Sequence, residues 1–311
     1  PERARLVAQF RDGITSEGYQ LLQNNDMVKP FDEGLRKYEP VDVHKITADK
    51  KLQLEDFLFG SAYKGVTDFV TRFIWPKPAA IVTRLCAAWG VTPNQVTLLG
   101  LLLMLAAGVL FWHGWFLCGL LLAWVMTFLD TVDGKLARVT VSSSVTGHAL
   151  DHGMDILHPP GWYFAWGIGL FNQGLLADTF VPLMFCMFIA YTGGRMIEGA
   201  FELYTPISIF IWRRFDSLNR LITARRNPNM VLLTCCTILG QPLQGLYAVV
   251  IWHSVSTLIL LWRLGLALYD TGKGQPIESW LAHLQPTTAK TDWATRLFLQ
   301  RPSPPPHQDS C

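Results

Sequence analysis

From residue 93 to residue 268 the chain alternates long apolar runs with short polar breaks, and this alternation predicts a series of helices. Pro93 to about Trp112 is the first run. Phe116 to about Asp130 is the second, and its helical pattern continues to Arg138. Val145 to about Phe171 is the third, where Pro159 and Pro160 predict a kink. Leu176 to about Phe201, Asn229 to Leu239 and Leu243 to about Leu268 complete the set. A membrane-spanning helix needs about 20 apolar residues, so the fifth run is short for the task. The expected fold is nevertheless an all-α integral membrane protein with six transmembrane helices.

Charge placement argues for the even number. With six spans, the loops on the side away from the N-terminus fall near His113–Trp115, Asn172–Asp178 and Gly240–Pro242, and none holds a Lys or Arg. Positive residues mark the cytoplasmic side. Both termini are therefore expected in the cytoplasm, and five or seven spans would break the segregation. Composition agrees: only 16% of the 311 residues are charged, against about a quarter in soluble domains. The six cysteines lie at 86, 118, 186, 235, 236 and 311 without metal spacing, and they suggest no disulfide framework.

The flanks differ from the middle. Residues 1–60 read as a cytoplasmic soluble segment, partly helical, with stops at Pro30 and Pro40. Residues 61–270 form the membrane domain. Its first part, residues 62–88, mixes aromatics with Lys64, Arg72, Lys77 and Arg84, as expected of an amphipathic helix in the membrane interface. Residues 206–226 carry Arg213, Arg214, Arg220, Arg225 and Arg226 among Ile, Phe, Trp and Leu. They read either as a second interfacial helix or as simple retention of positive charge on one side. Residues 271–311, rich in Pro and polar residues, are expected to be a disordered cytoplasmic tail.

Chemistry concentrates in DTVDGKLARVTVSSSVTGHALDHGMD, residues 130–155. Ionisable groups beside lipid are costly and usually functional. Asp130 and Asp133 share one helix face, which Ala137 rejoins and Gly134 borders. Gly147, Asp151 and Asp155 form a stripe at spacing four. A short link joins the two helices, so they are expected to pack antiparallel with the stripes facing. Four converging carboxylates repel unless a cation sits among them. Oxygen ligands suit Mg²⁺, Mn²⁺ or Ca²⁺, and no Cys or His set suits Zn²⁺. His148, His152 and His158 are read as hydrogen-bonding residues. The small residues leave room for a phosphate, and Arg138 is placed to hold one. Such an arrangement points to phosphoryl chemistry. A transporter using the aspartates as a pathway is the alternative. It is disfavoured because the carboxylates lie at a helix end and no internal repeat is visible.

The pattern D-x₂-D-G-x₂-A-R-x₈-G-x₃-D-x₃-D, filled by Asp130, Asp133, Gly134, Ala137, Arg138, Gly147, Asp151 and Asp155, resembles the signature of the CDP-alcohol phosphatidyltransferase family. TPNQVT at 92–97 is similar to the family's T-P-N-x-x-T opening of the first span. The resemblance covers roughly residues 60–270. It implies transfer of a phosphoryl-linked group from a CDP-alcohol to an acceptor alcohol with release of CMP, in phospholipid synthesis. It further implies that Asp130, Asp133, Asp151 and Asp155 bind Mg²⁺ or Mn²⁺, two ions, and that Asp155 is also the general base. Gly134, Ala137, Arg138, Gly147 and Asn94 are implied to contact the CDP moiety. The implied partners are the donor, the acceptor, membrane lipids and a second copy in a homodimer, with no nucleic acid. The implied location is a bacterial inner membrane. Arg195, Arg225 and Arg226 are candidates for an anionic acceptor, because Arg grips phosphate in a forked geometry. Residues 1–60 sit where some relatives carry a fused cytidylyltransferase domain, so Pro1 is read as the cut end of an upstream domain. Which alcohols are used stays open at this stage.

Overall fold

The computed structural model describes residues 31–38, 48–62, 64–142, 145–176, 178–284 and 292–299; within these, the side chains of residues 61 and 145–152 are outside the description. A two-residue-per-strand hairpin, β1 Phe31–Asp32 with β2 Lys37–Tyr38, pairs antiparallel. The rest is helical: α1 Lys51–Ser61, a π-turn Val70–Ile74 and α2 Pro76–Ala88 lead into the long elements. These are α3 Pro93–Trp112, α4 Phe116–Thr140, α5 Val145–Asn172 and α6 Phe180–Tyr204. A 3₁₀ turn Ile209–Ile211, α7 Arg214–Ile222, α8 Arg226–Ile238, α9 Pro242–Gly272 and α10 Trp293–Leu299 follow.

All six apolar runs are helices, but not all are equally suited to a bilayer. α3, α4, α6 and α9 are long and apolar enough to cross a membrane. α8 has 13 residues, about 20 Å of rise, short of the ~30 Å hydrocarbon core. α5 is long, but its N-terminal half carries His and Asp, and it contains Pro159 and Pro160. The helix runs on through both prolines as one element. The outer surface inverts the soluble pattern. Leu98, Leu102, Leu105, Leu121, Phe185 and Leu258 are exposed, whereas Asn229, Ser256 and His253 are buried. Such an apolar belt would be intolerable in water, and the chain is an integral membrane protein.

Among the described residues three apolar clusters hold the molecule, the smallest joining Ala79, Val96, Val132 and Leu136. One lies among α3, α4, α5, α8 and α9, where Trp166, fully buried, stacks against Phe111 and Phe116 at ring distances of 5.0 and 4.4 Å. Another gathers Phe201, Phe210, Trp212, Leu260 and Ala267 with Val66 from the N-terminal side. It also takes in Ile277, Leu281, Leu284, Ala294 and Phe298. This corrects the expectation that residues 271–311 are disordered, for residues 273–284 and 293–299. Their few apolar side chains are spaced to meet a surface the rest of the fold leaves uncovered. At that surface Arg263 forms a buried forked pair with Asp216, at 2.5 and 2.7 Å, tying α9 to α7.

Candidate active site

The opening of α3 shows what TPNQVT does locally. Thr92 and Gln95 form a reciprocal cap, with Pro93 at the first helical position where its missing N–H costs nothing. Two residues further on, the Thr97 hydroxyl donates to Asp133 Oδ2 at 2.7 Å. The motif thus starts the helix and orients a carboxylate of α4. Asn94 lies exposed in the first turn.

Asp130 and Asp133 lie on α4, and Asp155 lies on α5. Asp133 is 7% exposed. Asp130 and Asp155 converge on one guanidinium: Arg226, the first residue of α8, donates through Nη2 to Asp130 and through Nη1 to Asp155 Oδ1 at 3.0 Å. The side chain of Asp155 is half exposed. The atoms around this guanidinium are all carboxylate oxygens, the donor type that hard divalent ions take. Among the described residues no three His, Cys, Asp or Glu side chains gather at one point. The side chains of Gly147 and Asp151 lie outside the described residues. Gly134 faces the Arg138 guanidinium: a Cβ there would meet Arg138 Nη1 at 3.5 Å. Arg138 itself donates from Nε to Ala62 O at 2.6 Å, and Ala137 beside it is half-buried.

Beside Asp155 opens a cavity of about 180 Å³. Arg195, Arg225 and Arg226 all line it, so four of the residues singled out from the sequence meet there. Arg195 and Arg225 both donate to Glu198, Arg195 at 2.5 Å. The wall also includes Asp68, Tyr191, Arg220 and Asn227, which sequence reasoning did not assign to a site. Asp68 accepts from Thr71 N–H at 3.0 Å, Thr71 hydroxyl at 2.8 Å and Asn227 at 3.0 Å. Burial works to raise the Asp68 carboxyl, but the nearby Arg220 guanidinium and these hydrogen bonds outweigh it and hold it below its ordinary value. Only Arg220 carried a sequence signal, as part of the basic linker. Asp68 and Asn227 are lone polar residues whose meeting, 159 positions apart, needs the fold.

The arrangement is a carboxylate group with a basic, headgroup-sized cavity at its side. It suits an anionic substrate placed next to a half-exposed base. The sequence profile of the family described as CDP-alcohol phosphatidyltransferase matches residues 90–260. An archaetidylinositol phosphate synthase of Pyrococcus horikoshii is 35% identical over 120 residues, which is 38% of this chain and 62% of that protein. A phosphatidylinositol phosphate synthase of Streptomyces avermitilis is 35% identical over 88 residues, 28% of this chain and 34% of that protein. The match therefore spans about three fifths of the first relative and one third of the second.

Proposed function

Because this chain belongs to the CDP-alcohol phosphatidyltransferase family, we propose that it transfers a phosphoryl-linked group from a CDP-alcohol to an acceptor alcohol and releases CMP in phospholipid synthesis. The observation that carries this reading is the convergence of Asp130 and Asp155 on Arg226 at the edge of an arginine-lined cavity. The relatives are named for making inositol phosphate lipids. That supports a phosphorylated polyol as acceptor, with Arg195, Arg225 and Arg226 around its phosphate.

Asp130, Asp133, Asp151 and Asp155 would hold two Mg²⁺ or Mn²⁺ ions, whose chemistry is to offset the negative charge of the donor diphosphate. The chain's own residues do the rest. Gly134, Ala137, Arg138, Gly147 and Asn94 take the CDP end. Asp155 faces the cavity and accepts the proton of the acceptor hydroxyl as its oxygen bonds to phosphorus. The bond from phosphorus to the CMP oxygen breaks, and CMP leaves with that electron pair. In this reading α3, α4, α5, α6, the shorter α8 and α9 all cross the membrane. Residues 62–88 lie along the interface. Both termini and the site face the cytoplasm of a bacterial inner membrane, and the protein works as a homodimer.

The test is CMP release by the purified protein with a panel of CDP-alcohols and acceptors, with and without chelator. Turnover is expected with Mg²⁺ or Mn²⁺ and a phosphorylated polyol. Full CMP release in excess chelator would refute the metal assignment, and no release with any pair would refute the reaction.

A further inference from the structure

Three guanidinium groups surround one buried ring. Phe210 is 1% exposed, and the guanidinium carbons of Arg36, Arg220 and Arg225 lie 5.5, 5.1 and 5.3 Å from its centroid. They come from the β1–β2 turn, from α7 and from the residue preceding α8. Each is attracted to the ring, yet like charges this close repel. The carboxylates nearby compensate only in part. Glu198 serves both Arg225 and Arg195, and Asp68 lies near Arg220. Arg36 reaches Glu202, a half-exposed carboxylate, at 4.0 Å. Arg220 Nε and Nη1 are buried with no hydrogen-bond partner among the described residues, a costly state for charged donors. Burial and then the Arg225 charge lower Arg36 to about 10. Burial, Arg225 and Arg36 lower Arg220 as well. The cluster is short of negative charge.

The hairpin holds Arg36 in place at a conformational cost. Its φ is 54°, uncommon for a residue with a side chain. The turn is closed by Arg36 N–H to Glu33 O at 3.2 Å and by Leu35 N–H to Asp32 Oδ1 at 2.8 Å. Gly65 and Val66 donate to Leu35 O and Arg36 O at 3.2 and 3.3 Å. Gly65 is needed for this approach, because a Cβ there would stand 2.6 Å from Arg36 O. Strain of this kind persists only where the surroundings enforce it, and it collects at ligand sites. The hairpin also lies outside residues 90–260, the part matched to the family. Arg36 does not line the cavity; it stands behind the wall, its guanidinium on the same ring as those of Arg220 and Arg225, which do line it.

We propose that Arg36 is a specificity-determining residue. With Arg220 and Arg225 it supplies the positive field that holds the phosphate monoester of the acceptor, so that a phosphorylated polyol is selected over a neutral alcohol. This rests on the acceptor-site reading given above. A phosphate dianion supplies acceptors for the open donors of Arg220 and the charge that the cluster lacks. A neutral alcohol would leave the guanidinium groups facing one another. At about 180 Å³ the cavity suits a polar headgroup, well below the 300–1,000 Å³ typical of larger ligands.

The experiment titrates inorganic phosphate into the purified protein with the donor site filled by CDP. Arg36→Gly tolerates positive φ, Arg36→Gln removes the charge and Arg36→Lys keeps it. Phosphate affinity is expected to fall at least ~10-fold in the Gly and Gln variants, the loss of one buried cation's attraction behind the cavity wall, and by less than about threefold in Lys. CDP affinity, measured separately, is expected to stay at the parent value in all of them. Parental phosphate affinity in Arg36→Gly and Arg36→Gln overturns the proposal, as does a parallel loss of CDP affinity. Arg225→Gln separates the two levels of inference. If it loses phosphate while the Arg36 variants do not, the acceptor site stands and only the part given to Arg36 falls. If it too binds phosphate normally, the acceptor-site reading fails with it.

Discussion

At the scale of single residues, Asp155 and Arg226 carry the sharpest expectations. Asp155 gives one oxygen to Arg226 and keeps its side chain half exposed beside the cavity. Asp155→Asn retains size and one oxygen but cannot take a proton. CDP-alcohol affinity is expected to stay near normal, while single-turnover CMP release slows by at least the ~10²-fold typical of a lost general base. If affinity collapses and the rate at saturation survives, Asp155 is a binding ligand only. Arg226 was legible in the sequence as a basic residue near the membrane and was grouped with the acceptor site. Its pairing with Asp130, 96 positions away, was not legible. Arg226→Met leaves two carboxylates facing without their shared cation. The variant is expected to melt earlier than the parent in chelator, and to gain more from added Mg²⁺ than the parent does. Equal shifts for the two proteins would show that Arg226 does not neutralise this pair.

Between elements, close approach decides. α3 and α5 meet where Gly169 lies against the end of α3, and a Cβ at Gly169 would fall 2.1 Å from Phe111 O and 3.0 Å from Gly114 N. Backbone atoms cannot move aside as a flexible side chain can. Gly169→Ala is therefore expected to destabilise the protein by about 1–3 kcal/mol, as overpacking does. Small residues at helix contacts are common in membranes, but which of the chain's glycines is the contact depends on the rotation of both helices. Gly169 lies 14 residues beyond Asp155, about 21 Å along α5. The variant is expected to keep CDP affinity at low temperature while its thermal midpoint drops, and an unchanged midpoint would mean that α3 and α5 are further apart than described.

For the molecule as a whole, the C-terminal segment changes the picture. Phe298 is fully buried among residues from α6, α9 and the 3₁₀ turn, and Arg72 Nε donates to Leu297 O at 2.9 Å. Phe298→Ala is expected to cost about 3–5 kcal/mol, the usual range for a buried Phe. Thermal unfolding in detergent tests this, and a shift within error would return residues 293–299 to the status of a free tail. The same segment closes the surface that α7 presents through Trp280, whose ring nitrogen donates to Ser217 at 2.9 Å. The hairpin, α7 and the C-terminal segment meet in one apolar cluster through Phe31, Leu221 and Phe298.

The sequence by itself determined the helices and the carboxylate motif. Apolar runs of 20 residues or more have few alternatives to helix in lipid, since every backbone group must find its partner within the segment. The bounds of α3 agree with its run to the residue, because a capping box and Pro93 mark its start. The spacing of Asp130 with Asp133, and of Asp151 with Asp155, is local and survives any packing. Tertiary structure alone decided what each charge faces. Arg226 lies between carboxylates, Arg225 reaches Glu198, and Asp68 meets Asn227, through contacts that span tens to more than a hundred residues. It also decided that a polar, Pro-containing stretch packs where Ile277, Leu281 and Phe298 find cover. Local pattern reports the conformation a segment prefers, whereas the partner of a charge or an apolar side chain is set by which surfaces the packed helices leave open.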